Sequence, residues 1–430
     1  MKVFRELGQR IECSWRAANY AELAFPDIAQ RLLADAKLPE TIAPWDVVRW
    51  LGRASQLPRQ IDIEAHFGNP PVTLFSGHRF FIDIYFWVDG TTEIHQHSFA
   101  GAFQVLTGSS IHSHYSFRKD QEVNQRFHIG QVKFETVELL QEGDIRPIVP
   151  GPNHIHSLFH LDRPSATITV RTFGLPANQP QYTYHKPYLA VDPFDKEPSV
   201  LRKLQTVMML LKLQQPDCDE LISELIASSD LHATFLILRI VFLHLTNNTL
   251  EEVFRLSAGR ERFERILATA RRTHGDSMDY VVAAIEEQGR MLNIINRRQF
   301  ITMPEHRFFL ALILNVPSRA KLLDLVGQRF PTKDPIDTVL DWVTELSTTK
   351  VWASNEPNVL GLAEFDDHHL FVLECLLRNY AGEQINTAIT RQYSLEQAAI
   401  LRNEFEGIVL NLRDSALFHS LLAERAQKSL

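Results

Sequence analysis

The sequence predicts a β + α multidomain chain: a small all-β sandwich or barrel, preceded by helices and followed by a large all-α half. Three observations predict it. At 430 residues the chain exceeds what one ordinary hydrophobic core supports. Between about 60 and 190, short runs rich in Val, Ile, Phe, Tyr and Thr are broken by Gly, Pro and Asp, the texture of successive strands. Beyond about 200, apolar residues recur at helical spacing almost to the end.

Each element follows from its local pattern. Residues 1–58 carry apolar positions at helical spacing in "VFRELGQRIECSWRAANYAEL" and "APWDVVRWLGRA", which predicts a helical segment packing on the barrel. Residues 59–190 hold the strand candidates "RFFIDIYFWVDG", "AFQVLTG", "SIHSHYSF", "QVKFETVELLQEGD", "SATITVRTFG" and "QYTYHKPYLAV". The Pro- and Asp-bearing stretch 191–200 reads as a linker, and 201–430 as an all-α domain of irregular helical repeats punctuated by Pro304, Pro317, Pro331 and Pro335. In that half His232, His306 and His368 each stand three residues before Phe235, Phe309 and Phe371. At i, i+3 each imidazole lies beside its phenylalanine, so the pattern reads as a recurrent helix start rather than a metal site. Asp366 and Asp367 fit a helix N-terminus, where the macrodipole favours negative charge.

Composition removes several function classes. A net charge of −8 with no basic cluster argues against a nucleic-acid or anionic-membrane surface. Cys13, Cys218 and Cys375 are scattered and form no CxxC pair, so neither a disulfide framework nor a thiolate metal site is expected, and a reduced, cytoplasmic setting fits. The N-terminus lacks the apolar core of a signal peptide. The most apolar window, "LHATFLILRIVFLHLTNN", includes His232, Arg239 and His244 and reads as a buried helix rather than a span.

Chemistry concentrates in histidines. Eleven of the 18 lie between 60 and 190, and six of those form three HxH pairs: His95/His97, His112/His114 and His154/His156. On a strand, residues i and i+2 project from one face, so such a pair can occupy adjacent positions on one metal ion. Neutral imidazole suits Fe(II), Ni, Cu and Zn. His112/His114 reads as a solvated face or a set of structural hydrogen-bond donors; if its strand faces the cavity, His114 or Tyr115 stands behind the site. Gln104 is a candidate further ligand.

The β region resembles the cupin superfamily. Gly90, His95, His97, Gly101 and Gly108 follow the first cupin motif, with Gly101 where a glutamate ligand usually stands. "GDIRPIVPGPNHIHSLFH" follows the second, with Gly143, Pro150 and Gly151 leading to His154 or His156 as third ligand. Counting from Gly151 selects His154, whereas the polar residue expected four places after the ligand is met by His156 with His160. Within the superfamily the missing glutamate resembles the thiol dioxygenases, the cysteine and 3-mercaptopropionate dioxygenases, in which three neutral histidines hold Fe(II). This resemblance implies a jelly-roll barrel and a metal held by His95, His97 and His154 or His156, with Fe(II) first and Ni or Zn as alternatives. The positions of the family's Ser-His-Tyr relay fall on Thr167, Thr169 and Arg171. Arg171, Thr169, Arg79 and Tyr115 are therefore the substrate-binding candidates, the arginines for a substrate carboxylate.

Three functions compete at this level. The first is an Fe(II)-dependent oxygenase using O₂ on a small or peptide- or carrier-borne substrate, such as a thiol. The second is a non-catalytic metal-binding scaffold or sensor whose helical half binds a protein partner or makes a dimer. The third is a redox-neutral isomerase or lyase, with Tyr115, His112 or His160 as general base.

Overall fold

The computed structural model describes the chain except residues 62, 64–67, 69–70, 88–89, 92, 175–179, 195–196, 214–216, 247–257, 351–357, 363 and 423–430, so part of the expected linker lies outside the described residues. It divides into two compact units, Met1–Asp195 and Lys196–Leu430.

The first unit begins with helices α1 (Lys2–Ala17), α2 (Phe25–Ala36), α3 (Leu38–Thr41) and α4 (Pro44–Leu51). Twelve strands follow: β1 (Pro71–Ser76), β2 (Phe80–Trp87), β3 (Gly90–Thr91), β4 (Ile94–His95), β5 (Gly101–Thr107), β6 (Ser110–Asn124), β7 (Phe127–Leu140), β8 (Ile145–Ile148), β9 (Ile155–His160), β10 (Ser165–Thr172), β11 (Thr183–His185) and β12 (Leu189–Val191). They form a five-stranded sheet ordered β1-β2-β10-β5-β8 and a seven-stranded sheet ordered β3-β9-β4-β11-β12-β7-β6. All pairings are antiparallel, and β9 also pairs with β6, so that strands β9, β4, β11, β12, β7 and β6 close on themselves. This is the jelly-roll barrel with N-terminal helices that the sequence predicts.

The apolar run "FFIDIYFW" becomes β2 because it is buried on both faces. Phe80, Ile82, Ile84 and Phe86 share one core with Ala166, Ile168 and Val170 of β10 and with the helices. Phe4, Leu7, Ile11 and Trp15 make one face of α1, and Phe25, Ile28, Leu32 and Leu33 one face of α2. Rings interlock here: Trp15 and Phe25 lie 4.4 Å apart, Phe25 and Phe80 5.5 Å. Burial of each such side chain contributes roughly 1.5–3 kcal/mol. The alternate residues, Tyr85 and Trp87 on β2, Phe103 on β5, and Thr167, Thr169 and Arg171 on β10, line the barrel interior. Outside β1, the Gln60 side chain mimics a strand: Nε2–H donates to the Thr73 carbonyl and Oε1 accepts from the Thr73 N–H, both at 3.0 Å.

The second unit is all-α among its described residues. Its larger helices are Pro198–Leu213, Cys218–Ala227, Leu231–Thr246, Ala258–His274, Ser277–Gln299, Pro304–Asn315, Arg319–Arg329, Pro335–Ser347, Asp367–Leu377, Glu383–Gln392 and Leu395–Asp414. Leu231–Thr246 is the expected buried helix, and among the described residues no helix is long and apolar enough to cross a membrane. His232, His306 and His368 each lie in the first turn or two of a helix, three residues before a buried phenylalanine. His306 pairs with Glu345 at 2.9 Å and His368 with Glu404 at 3.2 Å. The Asp366 side chain accepts the His369 N–H at 3.0 Å, which caps its helix.

Candidate metal centre

The HxH pair at 95–97 owes its geometry to the residue between. Gln96 points away from the barrel interior, where Tyr184 Oη–H donates to its Oε1 at 2.6 Å and its Nε2–H donates to the Pro180 carbonyl at 3.1 Å. With Gln96 pinned outward, His95 and His97 both turn inward, their rings 4.6 Å apart. The Gly151 N–H donates to the His97 carbonyl at 2.8 Å, which ties the "PGPNHIH" turn to this strand. Register completes the set, because β4 and β9 place His95 directly across from His156.

His95, His97 and His156 are all buried, and one ring nitrogen from each lies within 4.8 Å of the others. His97 Nε2 and His156 Nε2 stand 2.8 Å apart. Two nitrogens at about 2.1 Å from one ion and at right angles to each other would be about 3.0 Å apart, so the spacing suits adjacent positions on a common metal. A carbonyl can only accept, so His95 Nδ1–H donates to the Glu93 carbonyl at 2.7 Å and Nε2 keeps its lone pair. Burial pushes the His95 imidazolium below its ordinary range and those of His97 and His156 well below it, with neighbouring His95 adding to both. All three are therefore neutral donors at pH 7, the state a metal requires. The donor set fits a first-row divalent ion.

Gly101, in the position of the usual glutamate, cannot bear a side chain. A Cβ there would sit 2.1 Å from the Val170 carbonyl oxygen and 3.0 Å from Arg171 Cα, because β5 and β10 pair at Gly101 and Arg171. Strand contact, not chance, keeps the carboxylate out.

His154 lies apart from His95 and His97: its ring is 6.3 Å from that of His97 and 4.6 Å from that of His156. It groups with His112 and His156 instead. Burial holds the His154 imidazolium down at about 3. His112 is fully buried, its Nε2 2.8 Å from His156 Nδ1 and its Nδ1 2.9 Å from Glu138 Oε1. It is thus not on a solvated face. Sequence reading missed Glu138 and Arg146; no local pattern marks them, since they reach the site through the β6–β7 register (His112 opposite Glu138) and an ion pair at 2.6 Å.

A cavity of about 400 Å³ opens beside the three histidines. Phe99, Phe103, Ile148 and Leu158 supply apolar walls, together with the rings of Tyr85 and Trp87. Thr167, Thr169 and Arg171 line it from alternate positions of β10. Trp87 Nε1–H donates to Thr167 Oγ1 at 3.0 Å. The Arg171 guanidinium lies 4.6 Å from the ring centres of both Phe81 and Phe99 and 4.0 Å from Asp83.

Other candidates stand elsewhere. Arg79 is exposed, its guanidinium 4.4 Å over the Tyr20 ring. Tyr115 belongs to a separate small core with Ile94, Ile155, Tyr184 and Ala190, on strand positions that alternate with those of the histidines. Gln104 Nε2–H donates to the Gly143 carbonyl at 3.3 Å, on the side of β5 shared with Ala102 and Leu106 rather than with Phe103.

No family model matches the sequence, and no curated protein matches it. Among solved structures the chain is similar to an uncharacterized conserved protein with a double-stranded beta-helix domain from Klebsiella pneumoniae, at 14% identity over 27% of this chain and 90% of that one, TM-score 0.18. It is similar to hydroquinone 1,2-dioxygenase from a Sphingomonas species, at 11% identity over 26% and 71%, TM-score 0.20. It is also similar to DMSP lyase DddQ from Ruegeria pomeroyi, at 13% identity over 43% and 97%, TM-score 0.23. The barrel assignment stands on the strand order itself.

In the cavity His160 is a near neighbour that does not line the wall. Its ring stacks on Trp87 at 4.1 Å and its Nδ1 lies 3.0 Å from Ser110 Oγ. Burial holds its imidazolium at about 3, so it is neutral.

Proposed function

We propose that the barrel is a metal-dependent cupin oxygenase of the thiol-dioxygenase kind, with His95, His97 and His156 holding Fe(II). One observation carries this reading: three neutral imidazoles meet on a cavity wall at ligand spacing, with no carboxylate among them. Fe(II) held there would keep its full +2 charge and open positions, supplying the electrons for O₂ chemistry on an anionic substrate group such as a thiolate.

The chain's own residues divide the remaining work. Phe99, Phe103, Ile148 and Leu158 exclude water from the substrate body and strengthen the electrostatics inside. Thr169 offers a hydroxyl toward the cavity, and Arg171 places a positive charge on the same wall, suited to a substrate bearing a carboxylate. The substrate is a small molecule or the end of a peptide or carrier, in keeping with the volume.

The test is iron content together with O₂ uptake. Protein produced with iron supplied should hold one iron per chain and consume O₂ with a small thiol such as cysteine or 3-mercaptopropionate, and His97→Ala should lose both. A fully iron-loaded His97→Ala protein overturns the assignment. A second reading, a metal-stabilised scaffold or sensor, is favoured by Thr167, Thr169 and Arg171 standing where an acid–base relay is expected. It requires tight metal with no O₂ uptake for any thiol.

A further inference from the structure

Register and ring distance set His156, not His154, beside His95 and His97, but they do not fix which ring nitrogen of His156 carries the proton. A row of side chains behind the site does. Arg146 grips Glu138 with two bonds, Nε–H to Oε1 at 2.9 Å and Nη2–H to Oε2 at 2.6 Å. Glu138 Oε1 faces His112 Nδ1 at 2.9 Å, and His112 Nε2 faces His156 Nδ1 at 2.8 Å.

Proton placement along this row has one solution. A carboxylate paired with arginine only accepts, so His112 carries its proton on Nδ1. A neutral imidazole has a single ring proton, so His112 Nε2 bears a lone pair and accepts. His156 must then donate from Nδ1, and its own Nε2 is left as a lone pair aimed at His97 Nε2. His154 has no such backing: among the described residues neither of its ring nitrogens makes a hydrogen bond.

We propose that the Arg146–Glu138–His112 row is a positioning device that fixes the ring orientation and tautomer of His156 and so presents its Nε2, as a lone pair, to the metal. The inference rests on the metal reading above. His112 and Glu138 act through His156 and touch no substrate. The same residues also meet the spacing for a cation of their own, at His112, His114 and Glu138. An ion on His112 Nδ1 would force the His112 proton to Nε2 and the His156 proton to its Nε2, which removes His156 from the first site. The row and a second cation are therefore exclusive, and the Arg146 guanidinium on Glu138 favours the row.

The full chain tests this in two ways. In metal-free protein labelled with ¹⁵N-histidine, ring-nitrogen shifts should show His156 protonated at Nδ1, and His112→Phe should release it to a mixture of tautomers. In Co²⁺ titrations followed by the visible absorption of the ion, His112→Phe should lower affinity roughly 10- to 100-fold. Glu138→Leu should lower it less, and the double variant no more than His112→Phe alone, as expected of groups acting in series. Thermal unfolding of the metal-free variants provides the folding control. The proposal is overturned by His156 protonated at Nε2, by unchanged affinity in a folded His112→Phe protein, or by two Co²⁺ per chain with the second lost in His114→Ala. If the wild-type chain binds no Co²⁺ the metal reading fails, while the tautomer measurement still decides the row.

Discussion

At the residue scale, two positions turn the geometry into measurable quantities. A Cβ on Gly101 would meet the Val170 carbonyl at 2.1 Å, so Gly101→Ala must push β5 away from β10. Overpacking of this kind costs about 1–3 kcal/mol. Urea unfolding should show that loss, and Gly101→Glu should lower metal affinity rather than add a ligand; a gain in affinity would contradict the strand-contact account. His160 supplies the pH dependence. Its imidazolium is ordinary, at 6.5, in the unfolded chain and lowered to about 3 by burial in the folded one. As pH falls through that window the unfolded state takes up a proton that the folded state refuses, so stability present above 6.5 is lost toward 3, by about 1.4 kcal/mol per pH unit. His160→Phe keeps a ring against Trp87 and should flatten the pH profile of unfolding by that slope between pH 6 and pH 4. An identical slope in both proteins would show that the ring titrates freely.

At the scale of elements, the N-terminal helices are the outer half of the barrel's core rather than an appendage. Phe25 of α2 bridges Trp15 of α1 and Phe80 of β2, so Phe25→Ala should destabilise the barrel by about 3–5 kcal/mol in denaturant titration. A loss under 1 kcal/mol would mean the helices pack loosely. Such elements are legible in sequence because burial imposes a period. "VFRELGQRI" repeats at helical spacing, and "FFIDIYFW" is a strand whose apolar character, interrupted by Asp83 alone, reflects two buried faces. Register is the part no period carries. The string shows three HxH pairs, but only strand pairing sets His156 opposite His95, and only the β6–β7 hairpin sets Glu138 beside His112. The absent glutamate is visible in the string as Gly101; its cause, the closeness of β10, is not.

For the whole molecule, the two units have different sources of legibility and stability. The second half reads as helical from periodicity alone, yet among its described residues no cluster declares a chemistry, and His306 and His368 serve ion pairs. In the first unit, ligands from β4, the turn after it and β9 join distant parts of the chain, so an ion there stabilises the folded barrel by mass action. At a free concentration one hundred times its Kd the gain is about 2.7 kcal/mol. Calorimetry with and without Co²⁺ should show a raised unfolding temperature in wild type and none in His97→Ala; an equal shift in both would place the ion elsewhere.

The glutamine laid along β1 has a consequence for how copies of this chain meet. An open sheet border normally invites a second molecule to add its own strand. Here one amide side chain already occupies the Thr73 donor and acceptor, while Pro71 at the start of β1 and Pro147 in β8 lack the N–H that a newcomer needs. Both borders of the five-stranded sheet are thereby blunted against fibre-like stacking, and Gln60→Ala would reopen the one that is plugged.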